Sequence, residues 1–79
     1  MSCREEILAL AQHLTLESGL DSFALEDLVN AMVRNGSSYR ESTIRTHVTS
    51  LMCANAPRHH AVRYNDLERI GRGLYRMRA

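Results

Sequence analysis

Ten arginines and no lysine supply the cationic side chains of this sequence, and they are unevenly placed. Residues 1–39 hold two arginines against six acids (Glu5, Glu6, Glu17, Asp21, Glu26, Asp27), a net of −4. Residues 40–79 hold eight against three (Glu41, Asp66, Glu68), a net of +5. The formal charge of +1 for the whole chain hides this division. A guanidinium offers a planar fork of donors that fits phosphate oxygens and the acceptor edge of guanine. Arginines gathered in one half of a small domain are the electrostatic footprint of nucleic-acid contact.

The other reactive side chains lead nowhere comparable. His47, Cys53, His59 and His60 are the residues with metal-ligand chemistry, but five residues separate His47 from Cys53 and five separate Cys53 from His59. Structural zinc sites use closely spaced pairs instead, so neither a metal nor a cofactor is expected. His59 and His60 read as loop residues that gain charge below neutrality. There is no Gly-rich phosphate loop, nucleophile elbow or carboxylate pair at a useful spacing. A nuclease reading of His59, His60 and Asn65 lacks the helix that should follow with further ligands. The expectation is therefore a non-enzyme with no small-molecule substrate. Cys3 and Cys53 form no CxxC, so a disulfide framework is not expected and a reducing cytoplasm is. No apolar run approaches the roughly 18 residues of a membrane span, and no secretory signal follows the N-terminus.

These side chains must be positioned by the elements of one domain, since 79 residues leave no room for a second core. Ser2 and Glu5 have capping-box spacing, and Ile7, Leu8, Ala11 and Leu14, with Leu10, form a helical stripe that Gly19 ends. Helix 1 thus covers about residues 3–18. Asp21–Ala24 is short enough to be only a β-bridge or an extended entry. Leu25–Arg34 reads as helix 2, with Leu25, Leu28, Val29 and Met32 on one face, stopped by Asn35-Gly36. Ser37-Ser38-Tyr39 makes a turn. Helix 3 is expected from about Glu41 to Ala54, capped by Ser42 or a neighbour, with Ile44, Val48, Leu51 and Met52 inward and Pro57 preventing continuation. Arg58–Asn65 reads as an ordered loop. Residues 67–70 and 74–78, joined through Gly71-Arg72-Gly73, read as a β-hairpin in which Tyr75 and Met77 face a core.

On helix 3, with Ile44 at the centre of the buried face, the opposite face is Ser42, Thr43, Thr46, Thr49, Ser50 and Cys53. Small hydroxyl side chains let a helix sit deep in a major groove and contact phosphates or base edges. Arg45 and His47 flank this face. Tyr39 and Arg40 precede the helix, whose free N–H groups can hold a phosphate. In the hairpin, Arg69, Arg72, Arg76 and Arg78 would lie along a phosphate backbone or enter a minor groove. Two other readings stand beside these: the Ser/Thr face as an ordinary solvated surface, and the hairpin arginines as protection of an edge strand against aggregation.

The order helix, extended segment, two helices and hairpin, together with "YRESTIRTHVTSLMCANAP" and "DLERIGRGLYRM", resembles winged helix-turn-helix domains. In detail it is similar to small bacterial winged-helix domains, some fused to restriction-type proteins. The resemblance implies a mainly α fold of three helices with a two- or three-stranded wing. It also implies double-stranded DNA as the partner, bound by Tyr39, Arg40, Ser42, Thr43, Arg45, Thr46, Thr49, Ser50, Arg69, Arg72 and Arg76. A small transcriptional regulator or a nucleoid-associated protein in the cytoplasm would fit, either monomeric or as a homodimer. Winged helices also serve as protein–protein modules, here docking a larger regulatory or restriction complex. A targeting module for modified DNA is the third alternative.

Overall fold

Ser2 starts the first helix as its spacing from Glu5 predicts. The Ser2 hydroxyl accepts from the Glu5 N–H at 3.2 Å, and the Glu5 carboxylate accepts from the Ser2 N–H at 2.9 Å, closing a capping box. In the computed structural model, which describes residues 2–56 and 64–78, helix α1 spans Cys3–Ser18. It turns Cys3, Ile7 and Ala11 into the core, with Leu8, Leu10 and Leu14 packed beside them. Gly19, at φ 72°, ends it by donating its N–H to the Thr15 carbonyl. That left-handed conformation suits glycine.

Ser22–Ala24 forms a strand, β1, and not merely a bridge or an entry segment. All three residues pair with a later strand, and Phe23 stacks on Tyr75 at 6.3 Å between ring centroids. The chain then enters helix α2, Leu25–Arg34, which buries Leu28, Val29, Ala31 and Met32. The strand supplies the apolar anchor, and so a three-residue segment is held where pairing alone would not suffice.

The third helix departs from expectation in length, cap and shape. Helix α3 proper is Glu41–Thr46; a π turn, His47–Leu51, follows, closed by the Met52 N–H donating to the His47 carbonyl at 2.8 Å. Cys53 and Ala54, expected to end it, instead bridge to a strand and turn. The N-cap is Arg40, without a side-chain cap bond, and not Ser42. Composition explains the irregularity. Thr43, Ile44, Thr46, Val48 and Thr49 are β-branched and weak helix formers. In addition, the His47 Nδ1–H donates to the Thr43 carbonyl and the Thr49 hydroxyl to the Arg45 carbonyl, each at 2.8 Å. Such bonds to the carbonyl four residues back compete with the regular ladder. The wider turn also rotates Cys53 off the exposed face and into the core, where it is 1% exposed.

Strands β2 (Leu67–Gly71) and β3 (Leu74–Met77) make the hairpin, and the sheet order β1-β3-β2 is antiparallel throughout. The described residues thus form three helices and a three-stranded antiparallel sheet. Pro57 and the expected loop positions 58–63, with His59 and His60, lie outside the described residues. At Tyr64 the chain is again described: its N–H donates to the Leu51 carbonyl at 2.7 Å, and its ring lies beneath the Arg4 guanidinium at 4.1 Å. Arg4 also forms a bidentate pair with Asp66, at 2.8 and 2.9 Å. This ties the start of α1 to the entry of β2.

The tip of the hairpin has a second duty. Ala24, the N-cap of α2, has no side chain with which to cap; the Gly73 carbonyl accepts the Leu25 N–H at 2.9 Å instead. Gly73 holds φ 68° in the turn, which an L side chain resists. Gly73→Ala should therefore lower stability by about 1–2 kcal/mol. For a chain of this size that is a fall in melting temperature of about 4–8 °C per kcal/mol, measurable by thermal denaturation followed by circular dichroism.

Candidate nucleic-acid interface

The exposed side of α3 carries Ser42 and Thr46, with Thr43 and Arg45 half-buried beside them. Thr49 and Ser50, on the π turn, are half-buried as well. The hydroxyl surface read from the sequence is therefore present, but it narrows toward its C-terminal end, and Cys53 leaves it. Tyr39 is half-buried and packs against the core; its N–H donates to the Ser37 hydroxyl. Arg40 is exposed at the helix start.

The arginines divide by partner. Arg45 does not reach out from the helix flank. Its guanidinium lies against the Glu26 carboxylate of α2 at 2.8 and 3.0 Å, with Glu41 at 3.9 Å. Arg76 is held by Glu68, its directly opposed cross-strand neighbour, at 2.6 Å. Opposed residues of an antiparallel pair share one face of the sheet, so Arg76 and Glu68 lie on the face away from Tyr75. Arg69 lies opposite Tyr75 on the core-side face. The four hairpin arginines thus do not form one surface: Arg69 is on the core-side face, Arg72 sits in the turn, Arg76 points the other way, and Arg78 follows β3 at the end remote from the turn. Among the described residues, Arg34, Arg40, Arg69, Arg72 and Arg78 have no acidic partner, whereas Arg4, Arg45 and Arg76 do.

One cleft joins the helix to the hairpin. It measures about 410 Å³ and is lined by Leu25, Thr49, Cys53, Asn55, Ala56, Arg69, Gly73 and Tyr75. Asn55 builds its outer wall. Its Oδ1 accepts from the Arg69 N–H and its Nδ2–H donates to the Arg69 carbonyl, both at 3.1 Å, so one amide satisfies the edge of β2 as a neighbouring strand would. The Cys53 thiol donates to the same Oδ1 at 3.1 Å. Tyr75 is 3% exposed, and burial pushes its hydroxyl pKa up; the nearby Cys53 thiol adds to this and Arg69 opposes it.

The sequence did not reveal Asn55, Gly73 or Tyr75 as parts of this region. Asn55 looked like the end of a helix, and Tyr75 like a core residue, which it also is. Their signals were chemical rather than periodic: an amide next to a helix stop, and a tyrosine where phenylalanine would pack equally well. The remaining candidate metal ligands diverge, since His47 is turned to the Thr43 carbonyl and Cys53 to Asn55.

Residues 4–77 match a family described as Domain of unknown function (DUF7669), and the chain belongs to that family. Comparison with curated proteins finds no match, and neither does comparison with solved structures.

The Arg45 guanidinium holds the Glu26 carboxyl below the usual carboxylate range, chiefly through the hydrogen bonds between them. A depressed folded-state pKa contributes stability that is present above the unfolded value of about 4.3. That contribution is lost as pH falls through the folded value. Carbon-detected titration of the glutamate side chains should show Glu26 with a lowered midpoint, and Arg45→Gln should return it to the ordinary range. An unchanged midpoint in that variant would exclude the α2–α3 pair in solution.

Proposed function

We propose that this chain is a winged helix-turn-helix domain that binds double-stranded DNA and catalyses no reaction on it. Helix α3 and the π turn that continues it would enter the major groove with Ser42, Thr43, Thr46 and Thr49 toward the bases, Arg40 on a phosphate at the helix start, and the β2–β3 hairpin as the wing. One observation carries the reading. The π turn that continues α3 and the hairpin adjoin across one cleft, with Thr49 on one wall and Arg69, which has no acidic partner among the described residues, and Gly73 on the other. A helix in the groove and a cation on the flanking backbone is the division of labour that DNA recognition requires.

The pairing of the other arginines refines the contact. The acids of the basic half are engaged, Glu41 and Glu68 by Arg45 and Arg76 and Asp66 by Arg4. This leaves Arg40 at the start of α3 and Arg69, Arg72 and Arg78 around the hairpin as the arginines of that half without an acidic partner among the described residues. The turn at Arg72-Gly73 is short, so Arg72 would meet phosphates rather than the floor of a minor groove. Arg45 acts by holding α3 to α2. A small transcriptional regulator or nucleoid-associated protein of the cytoplasm fits this chemistry.

A second reading has its own observation. Leu20 (63% exposed) and Leu74 (42%) flank a groove lined by Leu14, Phe23 and Ala24 around the edge of β1. Exposed apolar surface of this kind is what a protein-docking module presents, and a homodimer would use it equally well.

Titration against a mixed-sequence duplex at several salt concentrations tests the first reading. Binding should be micromolar or tighter at low salt and weaken steeply as salt rises. Arg40→Ala and Arg72→Ala should each reduce the salt slope by about 0.9, while Arg76→Ala should leave it unchanged. No binding at low salt would overturn the DNA reading. In that event sedimentation of Leu20→Ser and Leu74→Ser variants would test the apolar groove.

A further inference from the structure

We infer that the cleft between α3 and the hairpin is an oxyanion site that takes a phosphate group, held by the Tyr75 hydroxyl and the Arg69 guanidinium. The inference rests on the DNA reading for its expected source, a backbone phosphate, but the donors themselves would also suit free phosphate.

The donors and acceptors of the cleft decide what it can hold. The Thr49 hydroxyl proton is committed to the Arg45 carbonyl, and the Cys53 thiol proton to Asn55 Oδ1. That oxygen also accepts from the Arg69 N–H, so its lone pairs are occupied. The Gly73 carbonyl accepts from Leu25. What is left is mainly donor: the Tyr75 O–H, the Arg69 guanidinium and the second Nδ2–H of Asn55. Among the described residues no carboxylate lines the cleft, so a cation would find no counter-charge from them there.

Tyr75 is the telling residue. It is buried to 97% of its surface, being 3% exposed, yet its hydroxyl makes no hydrogen bond to any described residue. A buried tyrosine hydroxyl ordinarily finds a partner. This one is not sealed from solvent either, since no buried side-chain oxygen is without a partner among the described residues. The hydroxyl therefore reaches the cleft that its side chain lines. Arg69 projects from the same face of the sheet, as its directly opposed neighbour. Packing does not need the oxygen, because the ring stacks on Phe23 and phenylalanine would do the same. A neutral donor beside a cation, in a partly desolvated site, is a strong arrangement for an anionic oxygen.

The test uses the full chain, isotope-labelled, with two probes: the mixed-sequence duplex and inorganic phosphate. Amide signals of Thr49, Asn55 and Gly73 are followed in the wild type, in Tyr75→Phe and in Arg69→Gln. Tyr75→Phe should melt no lower than the wild type, since it removes no bond of the free protein. It should weaken duplex binding about tenfold without changing the salt slope, whereas Arg69→Gln should lower that slope by about 0.9. Cleft signals that move with the duplex, and less in Tyr75→Phe, support a backbone phosphate. Shifts with inorganic phosphate that Tyr75→Phe abolishes, in a protein that does not bind the duplex, support the oxyanion site while the DNA reading fails. Duplex binding unaffected by Tyr75→Phe, with cleft signals still under both probes, overturns the site and leaves the DNA reading intact. Silence toward both probes overturns both.

Discussion

The exit of the third helix is stitched to the edge of β2, and the geometry of the face shared by that helix and the hairpin depends on that seam. The Leu67 N–H donates to the Met52 carbonyl at 2.9 Å, and the Leu67 carbonyl accepts from Ala54 at 2.8 Å. Asn55 then continues the pattern with its side chain, satisfying both backbone groups of Arg69. Each such bond contributes only about 0.5–1.5 kcal/mol net. Their effect is larger as a constraint, because they set the helix and the hairpin at one separation and leave a cleft between them. Leu67 itself is fully buried, so the seam is anchored in the core.

The π turn is what makes this seam possible. A regular α-helix to Ala54 would have carried Cys53 onto the solvent side, away from β2. The wider turn brings it inward, where it bridges to Leu67 and donates to Asn55. Single π turns frequently occur at functional sites, and here the local cause is visible: β-branched residues and side chains that take the carbonyls of Thr43 and Arg45. The same Ser/Thr content that gives α3 a hydroxyl surface also weakens it as a helix. Surface chemistry and helix irregularity therefore have one origin in the sequence.

Ion pairing sorts a surplus of arginine into structural and available charge. Arg4 joins α1 to the start of β2, Arg45 joins α3 to α2, and Arg76 lies across the hairpin on the far face. Exposed pairs of this type add little stability. Their consequence is electrostatic: the acids of the basic half are occupied, and among the described residues of that half Arg40 at the start of α3 and Arg69, Arg72 and Arg78 around the hairpin keep no acidic partner. Membership of a domain family of unknown function neither supplies nor contradicts a role for that charge.

Much of the architecture was legible in the residues. The Ser2–Glu5 capping box, the Gly19 stop, the apolar stripe of α2 and the alternation of Tyr75 and Met77 are local patterns, decided by backbone geometry and periodic burial. The hydroxyl face of α3 followed from the same arithmetic, up to the point where the helix stops being regular. What sequence spacing could not contain was which charges meet. Arg45 and Glu26 are 19 positions apart and Arg4 and Asp66 are 62, so their pairing exists only once α1, α2, α3 and β2 are packed. The division of Arg69 from Arg76 likewise needed the register of β2 on β3, and the cleft needed the seam at Leu67. Local preference chose the elements; long-range contacts chose which of their side chains remain free to bind anything else.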